Sequence, residues 1–476
     1  MLDLVIRNGT VIAPQGVGPW DLGISGETIA AVAAPGSLPT DGVRVLDATG
    51  LVVSPGGVEP HAHLAHPIMS HPEEPAVTLG PEEDTRGMAC GGTTTHVDFC
   101  YVRPGSDIQP VLEQRAARWK GQSYVDYAFH VTLAGALPLR VFDQIAEAIQ
   151  GGFPSFKVFT TNVLPPHPRR AGNRIDFGRI HHAMERVARH GGIMVVHGED
   201  EDLVQFNYER FREENRTEGT NLHLVHTKLS ELLAFRRTVA LAEATGVGVY
   251  FVHTSAREGV DTIVEARAKG LPVYGETLHQ YACFNAEHYK TPRGFCSHTY
   301  PSLKFPEDQQ ALWHGLVHDG LSTLATDEYP TSLALKLKGR QIDDVTGGNC
   351  GAEARLGIAW TEGVVRRGMS LQRFAAVTAT NAARILGLYP RKGVLAAGAD
   401  ADIVILDPGV KKTLAREDFH VSDYSPWEGW AVEGWPVMTF LRGKLIADRG
   451  RLLGRVGDGQ LLTRKIDPGV LKRPAC

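Results

Sequence analysis

Between residues 57 and 385, short apolar, β-branched runs alternate with longer amphipathic stretches, and this alternation constrains the fold more than any other feature. The strand-like runs include TTTHVDF from Thr93, VDYAFHVTL from Val125, SFKVF from Ser155, GIMVVHG from Gly192, GVGVYFVHT from Gly246, PVYGET from Pro272 and LSTLATD from Leu321. Between them lie helix-like segments such as VFDQIAEAIQ, RIHHAMERVARH, KLSELLAFRRTVALAEATG and VDTIVEARAKG. The last two close on glycine, as helix ends often do. So many strand and helix units in series favour an α/β fold of the (β/α)8 TIM barrel type over an open sheet.

The flanks have a different pattern. Residues 1–55 and 391–455 are short strand-like runs separated by Asn-Gly, Ser-Gly, Pro-Gly and Arg-Gly turns. They are expected to form two halves of one small β-sandwich, because barrel termini lie near each other. The expected organisation is a first sandwich segment over 1–55, the barrel over 56–390, a second sandwich segment over 391–455, and a tail over 456–476. That tail is expected on the surface or on a neighbouring subunit.

A length of 476 residues suits one large barrel with an attached module. With 43% hydrophobic and 22% charged residues the composition is that of a soluble globular protein, and a net charge of -5 gives nucleic acid nothing to attract it. The start, MLDLVIRNGTVIAP, lacks the basic flank and apolar run of a secretory signal. No stretch reaches roughly 18 uninterrupted apolar residues, so no membrane span is expected and the cytoplasm is the expected location. The cysteines, Cys90, Cys100, Cys283, Cys296, Cys350 and Cys476, have no CxxC spacing and read as reduced thiols.

In a barrel the C-terminal ends of all strands meet at one mouth, where residues distant in sequence become neighbours. His61 and His63 follow the first strand, Lys157 lies within SFKVF, His197 ends MVVHG, His253 ends VYFVHT and Asp327 ends STLATD. Four imidazoles with carboxylate oxygens suit borderline divalent cations such as zinc better than magnesium. Lys157 cannot bind a cation as an ammonium group. Carboxylated by carbon dioxide, its nitrogen becomes a carbamate with two anionic oxygens that can bridge two metals, and apolar neighbours Phe156, Val158 and Phe159 favour the uncharged amine this requires.

PGGVEPHAHL, EEDTRGMACGGTTTHVDF, SFKVF, VVHGED, YFVHTS and LATDEYP resemble, in order and approximate spacing, the dihydropyrimidinase and hydantoinase family of cyclic amidohydrolases. The resemblance covers nearly the whole chain, and KGVLAAGADADIVILDP is similar to that family's return to its sandwich. It implies a binuclear site: His61, His63 and Asp327 on the more buried metal, His197 and His253 on the more exposed one, and carboxylated Lys157 on both. The metals it implies are zinc, with manganese, cobalt or nickel as alternatives. It further implies a metal-bridging hydroxide as nucleophile, Asp327 as the catalytic proton carrier, a cyclic amide substrate and a homotetramer. The same chemistry on another amide, lactam, imide or urea is the alternative. Allantoinase or dihydroorotase activity is disfavoured, because Ala65 and His66 stand where those relatives carry an arginine. A non-catalytic scaffold is disfavoured because all six ligand types are present.

Departures from the family pattern fall on the substrate contacts. Asn162 stands where the family has an oxyanion-supporting tyrosine; it offers an amide donor, and His167 in the same loop is a second candidate. In TYPSLK, Tyr300 replaces the serine that clamps the substrate amide, which makes its hydroxyl a third. In GGNCGAEAR, Gly347 replaces an asparagine and Asn349 lies two residues later as a candidate substrate contact. Arg169 and Arg170 read as a solvated basic pair, Gly91 to Thr95 as a helix-to-strand turn, and Glu199 as a support that orients the site.

Overall fold

One hydrophobic run holds the first boundary in the structure, a computed structural model that describes residues 1–476. The run LVVSPGGV divides at Gly56: Val52–Pro55 is a strand of the sandwich, and Gly57–Ala62 is the first strand of the barrel. A side chain at Gly56 would lie 2.4 Å from Thr94 Oγ1, so only glycine lets the chain pass between the two sheets there.

The barrel strands follow in chain order as Gly57–Ala62, Thr93–Val102, Asp126–Leu133, Ser155–Phe159, Ile193–His197, Gly248–Phe251, Val273–Leu278 and Thr323–Ala325. Each pairs in parallel with the next. The first and last strands close the ring just beyond their ends, where His63 N donates to Glu328 O at 2.7 Å and Glu328 N donates to His61 O at 3.0 Å. Closure removes both sheet edges and draws His61 and Asp327 to the same rim.

A buried ion pair secures that seam from within. Arg355 Nε lies 3.2 Å from Glu59 Oε2, both fully buried, and Arg355 Nη1 donates to the carbonyls of Val58 and Leu324. Glu59 Oε1 in turn accepts from His61 N and Thr326 N. The lumen below is filled by Val58, Val97, Val195, Tyr250 and Tyr274. Helices cover the outside as their patterns require: Phe177–His190 and Lys228–Thr245 each end on a glycine in left-handed conformation, Gly191 at φ 83° and Gly246 at φ 71°.

The terminal segments form two packed sheets. In the larger, Val52–Pro55 pairs antiparallel with Ile403–Thr413, Ile403 opposite Pro55, which joins the two ends of the chain in one sheet. The smaller contains Thr28–Ala33, Asp21–Ser25, Leu4–Arg7 and Arg44–Asp47 in that order. Leu4, Ile6, Val53, Ile403, Ile405 and Phe440 are among the residues that fill the space between them. The final residues run over their own barrel: Leu462, Ile466 and Val470 are buried with the lumen residues, and Tyr274 donates its hydroxyl to Val470 O at 2.7 Å. All six cysteines are free, and no helix is long and apolar enough to cross a membrane.

Candidate functional site

The strand ends bring two clusters together at the barrel mouth. In the first, Asp327 Oδ1 lies 3.0 Å from His61 Nε2 and 3.2 Å from His63 Nε2, and the two imidazole nitrogens are 3.2 Å apart. In the second, His197 Nδ1 is 2.9 Å from His253 Nε2. The rings of His61 and His253, 5.4 Å apart, join the clusters. His253 and Asp327 each follow their strand by two residues and adopt left-handed backbone, φ 42° and 51°, which non-glycine residues rarely take. Such conformations persist where surrounding structure enforces them, commonly at functional sites.

Lys157 stands between the clusters, at the middle of the fourth strand. Its Nζ is fully buried with no hydrogen-bond partner, 5.2 Å from the centre of the Phe99 ring and 4.9 Å from that of Phe159. Burial brings the Lys157 amine down to about 7, against the opposing pull of Asp327 and Glu276. An orphaned amine in an apolar wall is costly unless something is added to it.

Carboxylates behind the imidazoles fix which nitrogen faces the centre. Glu276 Oε1 accepts from His61 Nδ1 at 2.8 Å and from His253 N at 3.0 Å, while Glu276 Oε2 accepts from the Tyr250 hydroxyl. Glu199 Oε2 lies 3.0 Å from His197 Nε2, and Glu199 Oε1 lies 2.9 Å from His226 Nδ1. With its outer nitrogen donating, His197 turns a lone pair inward toward His253, and Glu276 holds His61 with Nε2 toward Asp327. Burial lowers His63 to about 4 and lowers His197 and His253 as well, which favours the neutral form. Burial would also lower His61, but Asp327 and Glu276 outweigh it and hold that group at about 9. Burial pushes Glu199 up, yet His226 and His197 hold its carboxyl far below the usual range. Inward lone pairs, a carboxylate and an orphaned amine form a donor set that divalent cations satisfy.

These groups form one end of a pocket of about 300 Å³. Phe99 is stacked on His63 with ring centres 4.4 Å apart, and Ile68, Met69, Val111 and Leu164 continue the apolar wall outward. The residues expected to contact substrate are placed less uniformly. Tyr300 lines this pocket with its ring, but its hydroxyl donates to Val345 O at 3.0 Å. Asn162 faces a smaller adjoining pocket, where its Oδ1 accepts from Asn173 N and Arg174 N and its Nδ2 donates to Glu201. His167 lines the same side pocket, its Nδ1 accepting from Arg169 N at 3.2 Å. Asn349 is fully buried and does not line either pocket; its amide nitrogen and oxygen have no partner.

His66 and Arg115 hold the loop beyond His63. His66 Nε2 lies 2.9 Å from Asp98 Oδ1, which also pairs with Arg115 Nη2 at 2.6 Å, and Arg115 donates to Leu64 O. Thr299, not singled out in the sequence, donates its hydroxyl to Asp327 Oδ2 at 2.8 Å. It is the first residue of TYPSLK, a stretch whose signal lay in Tyr300 alone.

The profile of the Amidohydrolase family matches residues 52–446. This chain belongs to the amidohydrolase family. The amidohydrolase is 31% identical to a D-hydantoinase of Geobacillus stearothermophilus over 472 residues, 97% of this chain and 96% of the relative. It is also 31% identical to a D-hydantoinase of Rhizobium radiobacter, over 98% of this chain and 99% of that one. Among solved structures, D-hydantoinase from a Bacillus sp. AR9 superposes with a TM-score of 0.91 at 32% identity, covering 98% of this chain and 99% of that one. Dihydropyrimidinase from Brevibacillus agri NCHU1002 gives 0.90 at 29% identity, covering 97% and 98%. The amidohydrolase is thus a hydrolase of C–N bonds with a barrel and a two-ended sandwich, the expected fold class.

Proposed function

We propose that this amidohydrolase opens a cyclic amide, a hydantoin or dihydropyrimidine-like ring, by hydrolysis of a ring C–N bond to an N-carbamoyl amino acid. The observation that carries this reading is the convergence of four imidazoles, Asp327 and the orphaned Lys157 amine on one end of a single pocket. Its support is whole-length similarity to proteins named D-hydantoinase. His61, His63 and Asp327 would hold one divalent cation, His197 and His253 a second, and Lys157, carboxylated on Nζ, both. Zinc suits this nitrogen and oxygen donor set, with manganese, cobalt or nickel as alternatives. When bound, the pair supplies a water activated for attack near neutral pH and polarises the scissile carbonyl.

The chain's own residues do the remaining work. Phe99 and Phe159 keep the Lys157 amine uncharged, so that its lone pair adds to carbon dioxide and one proton leaves to solvent. Glu276 and Glu199 hold His61 and His197 in the tautomers that face inward. Asp327 Oδ2, oriented by the Thr299 hydroxyl, takes a proton from the attacking water and returns it to the departing ring nitrogen.

A second reading, the same chemistry on a lactam, imide or urea, draws on a specific observation. The Tyr300 hydroxyl and the Asn162 amide are both engaged within the protein, so neither is free for the amide contacts that a hydantoin ring needs. A hydrolysis screen of cyclic ureides, imides and lactams, with products identified by mass spectrometry, tests both readings. Ring-opened N-carbamoyl products are expected from cyclic ureides; turnover confined to lactams or imides would move the assignment to the second reading, and none at all would remove both.

A further inference from the structure

The pocket is electrically lopsided. Asp327 is the only carboxylate that lines it, and Asp327 belongs to the cluster at its inner end. Three arginines, Arg103, Arg115 and Arg118, line the other side. Arg115 is neutralised by Asp98 at 2.6 Å. Arg103 and Arg118 have no such partner: Arg103 donates to neutral acceptors, Gly172 O at 3.0 Å and Asn173 Oδ1 at 2.8 Å, and the exposed Arg118 makes no ion pair.

Two elements aim these charges. Along the second barrel strand and its continuation, Phe99, Tyr101 and Arg103 alternate onto the lumen side, as a strand's period of two requires. Phe99 stacks on His63, and the Arg103 guanidinium lies 5.2 Å from the centre of the Tyr101 ring. This ladder runs from the candidate metal centre outward over about 13 Å. On the following helix, Ile108–Trp119, the pocket-lining residues Val111, Gln114, Arg115 and Arg118 fall at the spacing of one face. A solvated arginine at a rim is common. Two uncompensated arginines, one half-buried over an aromatic ring, at the far end of an apolar channel are a recognition device for an anion.

We propose that the substrate's ring substituent ends in an anionic group, a carboxylate in the simplest case, which binds between Arg103 and Arg118 while the substituent's apolar part lies along Tyr101, Ile68 and Val111. This rests on the ring-opening reading above and narrows it to acidic 5-substituted rings. The arginines contribute to binding, so their effect falls on KM, and it weakens as salt screens the exposed Arg118.

The test compares hydantoins whose C5 side chain ends in a carboxylate with the primary amides of the same length, across a series of chain lengths, using metal-loaded full-length protein. The acid is expected to exceed the amide in kcat/KM by about tenfold or more, through KM, at the chain length that reaches Arg103. Arg118→Ala should reduce that ratio about tenfold, and Arg118→Glu should reverse it. Calorimetric binding of the ring-opened acid and amide is read separately. Preferential binding of the acid without any ring opening would uphold the anion site and overturn the proposed reaction. Equal binding and equal kcat/KM of acid and amide, or a ratio unchanged in Arg118→Glu, would overturn the anion site whatever the turnover.

Discussion

His61 Nε2 and Asp327 Oδ1 meet at 3.0 Å across the seam where the first barrel strand closes on the last. The contact brings together the two ends of a sheet more than 260 residues apart in sequence, so the same closure that completes the fold assembles the candidate centre.

Asp327→Asn keeps the size of this side chain and removes its charge and basicity. We expect kcat to fall about 10³-fold or more, since a group that both ligates and carries the proton has no substitute in the pocket. Steady-state kinetics beside a circular dichroism spectrum checks it; a variant within tenfold of the parent would remove Asp327 from the proton path.

Lys157→Ala removes the orphaned amine without disturbing a hydrogen bond, because Nζ makes none. Metal content should drop by at least one ion per chain and activity should be lost, and Lys157→Arg should behave alike, since a guanidinium stays charged and forms no carbamate. Elemental analysis reads the first effect, and full metal occupancy in either variant contradicts the bridging role.

Arg355 and Glu59 are both fully buried, and Arg355 also binds carbonyls on the first and last strands. Arg355→Ala leaves Glu59 uncompensated at the seam. The loss should be about 3–5 kcal/mol, read as a lowered denaturant midpoint or a faster thermal inactivation. A change below about 1 kcal/mol would show that the pair does not secure the closure.

A pH dependence arises away from the mouth, where His420 Nδ1 lies 2.6 Å from Glu353 Oε1 and the loop of His420 meets the helix ending at Cys90. Hydrogen bonding to Cys90 and Glu353 raises His420 from 6.5 to about 11. A base whose folded-state value is raised stabilises fully below its ordinary value and loses that contribution as pH rises through the raised one. The stability difference between the parent and His420→Gln should therefore be largest at and below pH 6.5 and shrink toward pH 11. Thermal unfolding of both proteins across that range checks the sign.

Much of this was legible in the sequence because barrel patterns are local and their consequence is geometric. Short apolar, β-branched runs and amphipathic helix runs set the fold class, and the rule that strand ends converge was enough to bring His61, His63, His197, His253 and Asp327 to one mouth, which Lys157 faces from the middle of its strand. The substrate contacts were not legible, since side chains in loops answer to their own loop first. Asn162 holds the backbone of Asn173 and Arg174, and Tyr300 turns its hydroxyl to Val345. Arg103 and Arg118 escaped notice because one lies just past a strand and the other on a helix face, and only the folded chain puts both on one pocket. The tail's place beneath the barrel rests on a few buried residues, Leu462, Ile466 and Val470, in a segment that forms no helix or strand, so no element pattern announced it.

Titration of metal-free protein with zinc in bicarbonate buffer, following hydantoin hydrolysis at each addition, tests the central claim most directly. We expect activity to be absent at the start, to rise with added zinc and to level off at two ions per chain, with omission of bicarbonate slowing its recovery. Full hydrolysis without metal, or a plateau at one ion per chain, would contradict a binuclear centre built on Lys157.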